Sequence, residues 1–293
     1  MSWLARIGTV AKANFPLNLP TVAYLFGGRA TSTIIADNDS YDRSSWTAET
    51  DVTSAEEGML ATVISNVVYA CFGRNGASYN LSCYSWDGSS WGSETAATTP
   101  NRYAPGGGTI GTTAYFCGGY NPTDTITNSN RSFDTSSWSA ETNVPNPKRY
   151  AVCSGVLSSK LYLAGGGGLS GSIADCDSWD GASWSAETSI TTATAAPGGF
   201  TLGANIFITG GYTNTRVGTV ESFDGSSWSS EASLSPVRRR AGSAVIENTY
   251  GYSMAGDGTA SDLTDNDEFD GSSWTAVTDV PTPAREAPAG SQL

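Results

Sequence analysis

One six-residue pattern occurs six times along this chain: an aromatic, Asp, a variable residue, Ser or Ala, Ser, and Trp. It reads Tyr41-Asp42-Arg43-Ser44-Ser45-Trp46, Trp86-Asp87-Gly88-Ser89-Ser90-Trp91 and Phe133-Asp134-Thr135-Ser136-Ser137-Trp138. It continues as Trp179-Asp180-Gly181-Ala182-Ser183-Trp184, Phe223-Asp224-Gly225-Ser226-Ser227-Trp228 and Phe269-Asp270-Gly271-Ser272-Ser273-Trp274. The closing tryptophans stand 45, 47, 46, 44 and 46 residues apart. A unit of that length, built of short strand-like runs and tight turns, cannot bury both faces of its sheet alone. Stacking such sheets in a closed ring solves the problem.

Each repeat contains the same pieces in the same order. About eleven residues after the Trp comes Arg or a substitute: Glu57, Arg102, Arg149, Ala195, Arg239 and Arg285. A short run of small residues follows, then an aromatic three residues ahead of a Gly doublet, as in Tyr115…Gly118-Gly119. A Ser/Thr/Asn-rich loop leads to a third strand ending at the aromatic-Asp pair, and a fourth strand carries the Trp. Asp-Gly between strands is a hairpin signal, because Gly accepts the positive φ of the tight turn. Where Arg43 and Thr135 replace that Gly, the turn is expected to be strained or of another type. The pattern predicts an all-β, six-bladed β-propeller with four antiparallel strands per blade. Residues 1–18 match no part of the repeat and form an N-terminal arm; the propeller spans 19–293. The first Trp unit lacks an inner strand, and Pro283–Gly290 aligns with Asn101–Gly108. Residues 284–292 are therefore expected to complete the blade of Trp46, pairing the C-terminal strand with the N-terminal blade.

Charge and composition narrow the function classes. The 15 Lys+Arg against 28 Asp+Glu leave a formal net charge of −13, which disfavours nucleic acid and anionic lipid as partners. No apolar run is long enough to predict a membrane span. Histidine is absent, removing the commonest general base and metal ligand. No Ser-His-Asp or Cys-His arrangement can form, so the chain is read as a non-enzyme without a cofactor. The cysteines Cys71, Cys83, Cys117, Cys153 and Cys176 lack metal-ligand spacing and are expected as free, buried, small hydrophobes. The N-terminus has no standard signal-peptide layout, which predicts a cytoplasmic protein unless it belongs to a particle.

The Gly doublet after an aromatic and hydrophobic strand, the aromatic-Asp pair and the Trp resemble the kelch β-propeller family over positions 21–293. The near-identical Asp-Gly-Ser-Ser-Trp units are similar to kelch-type propellers encoded by phages and environmental microbes. That resemblance implies a structural or protein-interaction role, with the protein as a virion component such as a tail or capsid-attached part. A glycan-binding, receptor-recognition module is the alternative; a propeller hydrolase or lyase ranks below both.

Strand order places the second-to-third strand loops and the blade connections on one face, opposite the constant Asp-Gly hairpins. This variable loop face is the expected binding surface. Its aromatics Tyr79, Tyr120 and Tyr212 are candidate contacts. Arg102, Arg149, Arg239 and Arg285 form a candidate ring at the channel mouth, able to hold a carboxylate or phosphate bidentately. Their bland alternative is pairing with Glu49, Glu94, Glu141, Glu187 and Glu231, which follow each Trp. The acidic runs Asp37-Asn38-Asp39 and Asp265-Asn266-Asp267 are read as ordinary surface acids rather than Ca²⁺ ligands, since alternation points Asp37 and Asp39 to one face and Asn38 to the other. Trp3, Leu4, Ile7, Val10 and Phe15 form a candidate docking arm for a neighbouring subunit. Other proteins, within a larger assembly, are the expected partners.

Overall fold

The computed structural model describes residues 21–121 and 125–293, and the regular structure among them is β throughout, with no helix. Six four-stranded antiparallel sheets form a ring of blades, a six-bladed β-propeller. Blade 2 is representative: Leu60–Ile64 lies innermost, followed outward by Val67–Cys71, Cys83–Trp86 and Trp91–Ser93. In blade 1 the inner strand comes from the other end of the chain. Ala289–Gln292 pairs with Ala23–Phe26, with Tyr24 opposite Ser291 and Phe26 opposite Ala289. This strand is shorter than the expected 284–292, because the preceding residues turn across the channel mouth, with Ala287 at φ 52°.

The repeated aromatics form the core between blades. The ring preceding each Asp is 0 or 1% exposed in Tyr41, Trp86, Phe133, Trp179, Phe223 and Phe269. Each closing Trp lies over it, with centroids 4.8–5.3 Å apart in all six units. The closing Trp is only half-buried, and its indole Nε1–H reaches into the preceding blade. Trp91 donates to the Thr50 carbonyl at 2.9 Å, Trp138 to Thr95 and Trp184 to Thr142. Trp228 donates to Thr188, Trp274 to Ala232, and Trp46 closes the circle on Thr278 at 2.8 Å. Indole is suited to this position: a large apolar body with one donor that must find a partner.

Two further rings of hydrogen bonds run inside this one. The second residue of each doublet donates its N–H to the next blade, Gly28 to Glu56, Gly73 to Arg102, Gly119 to Arg149 and so on to Gly256 and Arg285. Its φ is 103–111°, a conformation only Gly adopts without strain, and all six are Gly. The first residue sits at 58–68°, which Phe72 and Ala255 tolerate. At the centre, Gly58, Ala104, Ala151, Ala196, Arg240 and Ala287 all have positive φ. Each donates its N–H to the carbonyl of the one before it, at 2.8–2.9 Å, and Gly58 donates to Ala287 to complete a collar.

The Asp of each hexapeptide organises its own turn. Asp134 Oδ1 accepts from the N–H of Ser136 at 2.9 Å and of Ser137 at 2.7 Å, and the other five repeat this. Arg43 and Thr135 keep the turn of their Gly counterparts, at φ 76° and 78°. Of the two outcomes expected, strain in an unchanged turn is the one realised. The expectation that all five cysteines are free fails in blade 2. Cys71 and Cys83 lie directly opposite on adjacent strands and form a disulfide, while Cys117, Cys153 and Cys176 are free and buried.

Candidate binding face around the central channel

The inner strands enclose a channel of about 420 Å³, walled largely by glycine, alanine, valine and hydroxyl side chains, among them Thr62, Thr109, Ser154, Thr201 and Ser243. Its loop-face rim is set by one residue per blade immediately ahead of the collar: Glu57, Tyr103, Tyr150, Ala195, Arg239 and Glu286. Each makes an antiparallel bridge to the residue that follows its own blade's Gly doublet: Arg74, Tyr120, Gly167, Tyr212, Asp257 and Arg29 respectively. The rim is thus divided. Blades 6, 1 and 2 carry charges, and blades 3, 4 and 5 carry tyrosines or small residues.

This register moves the arginine ring expected from sequence. The slot shared by Arg102, Arg149 and Arg285 is filled in blade 6 by Arg238, not Arg239, with Glu56 in blade 2 and Thr194 in blade 5. Arg102, Arg149, Arg238 and Arg285 are 0–1% exposed and converge on nothing; each braces its own blade. Arg102 Nη1 donates to the Phe116, Gly118 and Ser129 carbonyls. Arg149 pairs with Asp177, Arg238 with Asp267, and Arg285 with Asp39 at 2.8 Å. A guanidinium supplies five donors in a rigid fork, enough to satisfy loop carbonyls and a carboxylate together. The acids after each Trp do not pair with these arginines either. Glu49, Glu141, Glu187 and Glu231 accept from Ser40, Ser132, Ser178 and Ser222 at 2.6 Å. The acidic runs are not surface acids throughout: Asp39 and Asp267 are buried and turned inward onto Arg285 and Arg238.

Blade 2 departs from this scheme. Glu56 fills the arginine slot at 0% exposure, near the Tyr84 hydroxyl at 3.5 Å, and burial pushes its carboxyl up to about 7.

Arg239 lies on the rim, where it pairs with Asp257 at 2.7 Å beneath a second arginine, Arg216, at 2.6 Å. The guanidinium of Arg239 also covers the Tyr212 ring, 4.8 Å from its centroid. Tyr120 meets Tyr150 edge-on at 5.2 Å, and Tyr79 follows the Arg74 ribbon in blade 2. The three tyrosines therefore share the face but stand on separate blades. Trp3, Leu4, Ile7, Val10 and Phe15 lie outside the described residues.

Sequence reasoning missed the main charged cluster of the rim. Arg74 Nε donates to Glu57 Oε1 at 2.8 Å, and Arg29 Nε stands 3.7 Å from Glu57 Oε2. Arg29 Nη2 donates to Glu286, whose second oxygen accepts from Arg240 Nη1 at 2.8 Å. Tyr103, 5% exposed, lies under Arg74 with 4.5 Å between guanidinium and ring centroid, and burial raises its phenol pKa. The signal was present: these residues interrupt slots that are small or aromatic in blades 3, 4 and 5. Reading it required the true register.

No protein-family model and no curated protein matches the chain. Among solved structures the chain is similar to one titled "Structure of YjhT". The TM-score is 0.72 at 13% sequence identity, over 90% of this chain and 98% of that one. At that identity the likeness speaks to the fold alone.

Proposed function

We propose that this protein is a non-catalytic interaction propeller of kelch type that presents its loop face to another protein within a larger assembly, such as a virion. The observation that carries this reading is Leu169. It is 79% exposed, the one large apolar side chain so exposed among the described residues. It stands in the second-to-third strand loop of blade 4, beside a groove of about 510 Å³ lined by Ile126, Pro147, Lys148 and Ile173. Exposed apolar side chains at a groove on a rigid scaffold favour protein contact. The repeated chemistry agrees, because the indoles tie blade to blade, the buried arginines Arg102, Arg149, Arg238 and Arg285 brace their own blades and the aspartates hold their own turns.

The test is the protein's state in its native host. The chain is expected to sediment with a particle far larger than 30.4 kDa, and Leu169→Asp is expected to release it while leaving its melting temperature unchanged. Wild-type protein that sediments as a free monomer in that extract overturns the reading.

A further inference from the structure

The collar holds small residues in five blades, Gly58, Ala104, Ala151, Ala196 and Ala287, and a long charged one in the sixth, Arg240. Arg240 keeps the left-handed φ of 54° that a side chain disfavours, and its guanidinium projects at the mouth of the channel. Around it the rim breaks the six-fold pattern repeatedly on the same side, with Arg29 and Glu286 in blade 1 and Arg74 and Glu57 in blade 2. The two carboxylates are buried, at 2 and 6% side-chain exposure, whereas Arg29, Arg74 and Arg240 retain 30, 25 and 23%. The carboxylates thus form a floor that orients the guanidiniums, and the guanidiniums are what an incoming molecule meets.

Charge balance points the same way. Counting Arg216, Arg239, Asp257 and Asp262 beside the cluster, five arginines face four carboxylates on this half of the mouth. A positive excess is the reverse of the whole chain's −13. Arg29 already bridges both glutamates, so neutralising Glu286 does not require Arg240. Glu57 Oε2 and Arg29 Nε, buried and 3.7 Å apart, face each other as an ion pair beyond hydrogen-bond distance. Gly58 also bears on the site: a Cβ there would fall 2.2 Å from the Tyr103 ring, so its absence lets the phenol side chain lie against the collar.

We infer that the loop-face mouth of the channel is a binding site for a small hydroxylated carboxylic acid, its carboxylate taken by Arg240 and Arg74 over Tyr103. The fork of a guanidinium matches a carboxylate bidentately. The remainder of the ligand enters the channel, where Thr62, Thr109, Ser154, Thr201 and Ser243 offer hydroxyls among glycine, alanine and valine, and about 420 Å³ suits a molecule of sugar-acid size. The site is separate from the Leu169 groove on blades 3 and 4, and it stands or falls independently of the assembly role.

Calorimetric titration of the full chain with galacturonate, malonate, galactose and inorganic phosphate tests this. Galacturonate is expected to bind, galactose not to, and malonate to compete for the same site. Arg240→Ala restores the residue found at four other collar positions, so its melting temperature should not fall, while galacturonate affinity should drop at least tenfold. Lys160→Ala, on the opposite face, should leave binding unchanged. The proposal is overturned if neither carboxylate binds, if galactose binds as tightly as galacturonate, if phosphate alone binds, or if Arg240→Ala binds galacturonate like wild type.

Discussion

Position 135 separates what a residue does from what its backbone must do. Thr135 sits at φ 78° in a turn whose equivalents are Gly in four of the six repeats, and its side chain carries a left-handed penalty. Thr135→Gly is expected to stabilise the protein by about 0.5–1 kcal/mol in chemical denaturation, the relief of strain outweighing the added freedom of the unfolded chain. Arg43→Gly relieves the same strain but should be destabilising. The Arg43 guanidinium stacks on Tyr250, 3.5 Å from its centroid, and pairs with Glu268 at 3.2 Å and Glu247 at 3.3 Å, fastening blade 1 to blade 6. Opposite signs for one substitution in one turn are the readout. Glu56 makes the other residue-scale prediction. Its folded pKa, about 7, exceeds the ordinary carboxylate value, so the native state binds the proton more tightly than the unfolded one. Its contribution is complete below about pH 4.5 and is lost as pH rises towards 7. Glu56→Gln should match wild type at pH 5 and exceed it at pH 8 by about 2–3 kcal/mol in urea unfolding. A constant difference between the two proteins across that range would show that Glu56 does not titrate there.

At the scale of the blade, stability rests on a buried brace rather than on sheet pairing alone. Arg149 is fully buried and joins the carbonyls of Leu163 and Asp175 to the Asp177 carboxylate. Arg149→Ala strands that carboxylate and is expected to cost about 3–5 kcal/mol. The double change Arg149→Met with Asp177→Leu removes both charges and should recover most of the loss in the same denaturation assay. The brace also marks how far the sequence could be followed. Hexapeptide and doublet fixed the blades because their residues are held by conformations with few substitutes, Gly at φ near 105° and an indole with one donor. The arginine slot is held by side-chain reach and tolerates a change of spacing. It falls 11 residues after Trp91, Trp138 and Trp274 but 10 after Trp46, Trp184 and Trp228. The run Arg238-Arg239-Arg240 offers three arginines where one belongs, and only the backbone ladder shows that 238 is buried, 239 sits on the rim and 240 stands in the collar. The rim cluster was hidden by the same one-residue ambiguity. The Cys71–Cys83 disulfide was hidden differently, since opposition across strands depends on register within one blade and not on comparison between blades.

At the scale of the whole molecule, three closed circles of hydrogen bonds tie each blade to its neighbour: the collar at the centre, the Gly N–H ring beside it, and the indole ring outside. Each circle crosses every blade boundary, so no pair of blades can separate without breaking all three there. The covalent chain is open in blade 1, where Ala289–Gln292 and Ala23–Phe26 meet and Thr21 N–H donates to the Leu293 carbonyl at 3.0 Å. Removal of residues 289–293 strips that blade of its inner strand and leaves Ala23–Phe26 as an unpaired, buried-type edge. The loss should exceed that of any single ring bond, each of which contributes about 0.5–1.5 kcal/mol, because Ala289 also leaves the core shared with Phe26 and Trp86. The truncated chain is expected to associate through the exposed edge, giving dimers or larger species by size-exclusion chromatography, and to unfold at lower urea than wild type. Loss of residues 289–293 without a change in unfolding midpoint or oligomeric state would mean that the rings hold the propeller closed without this strand.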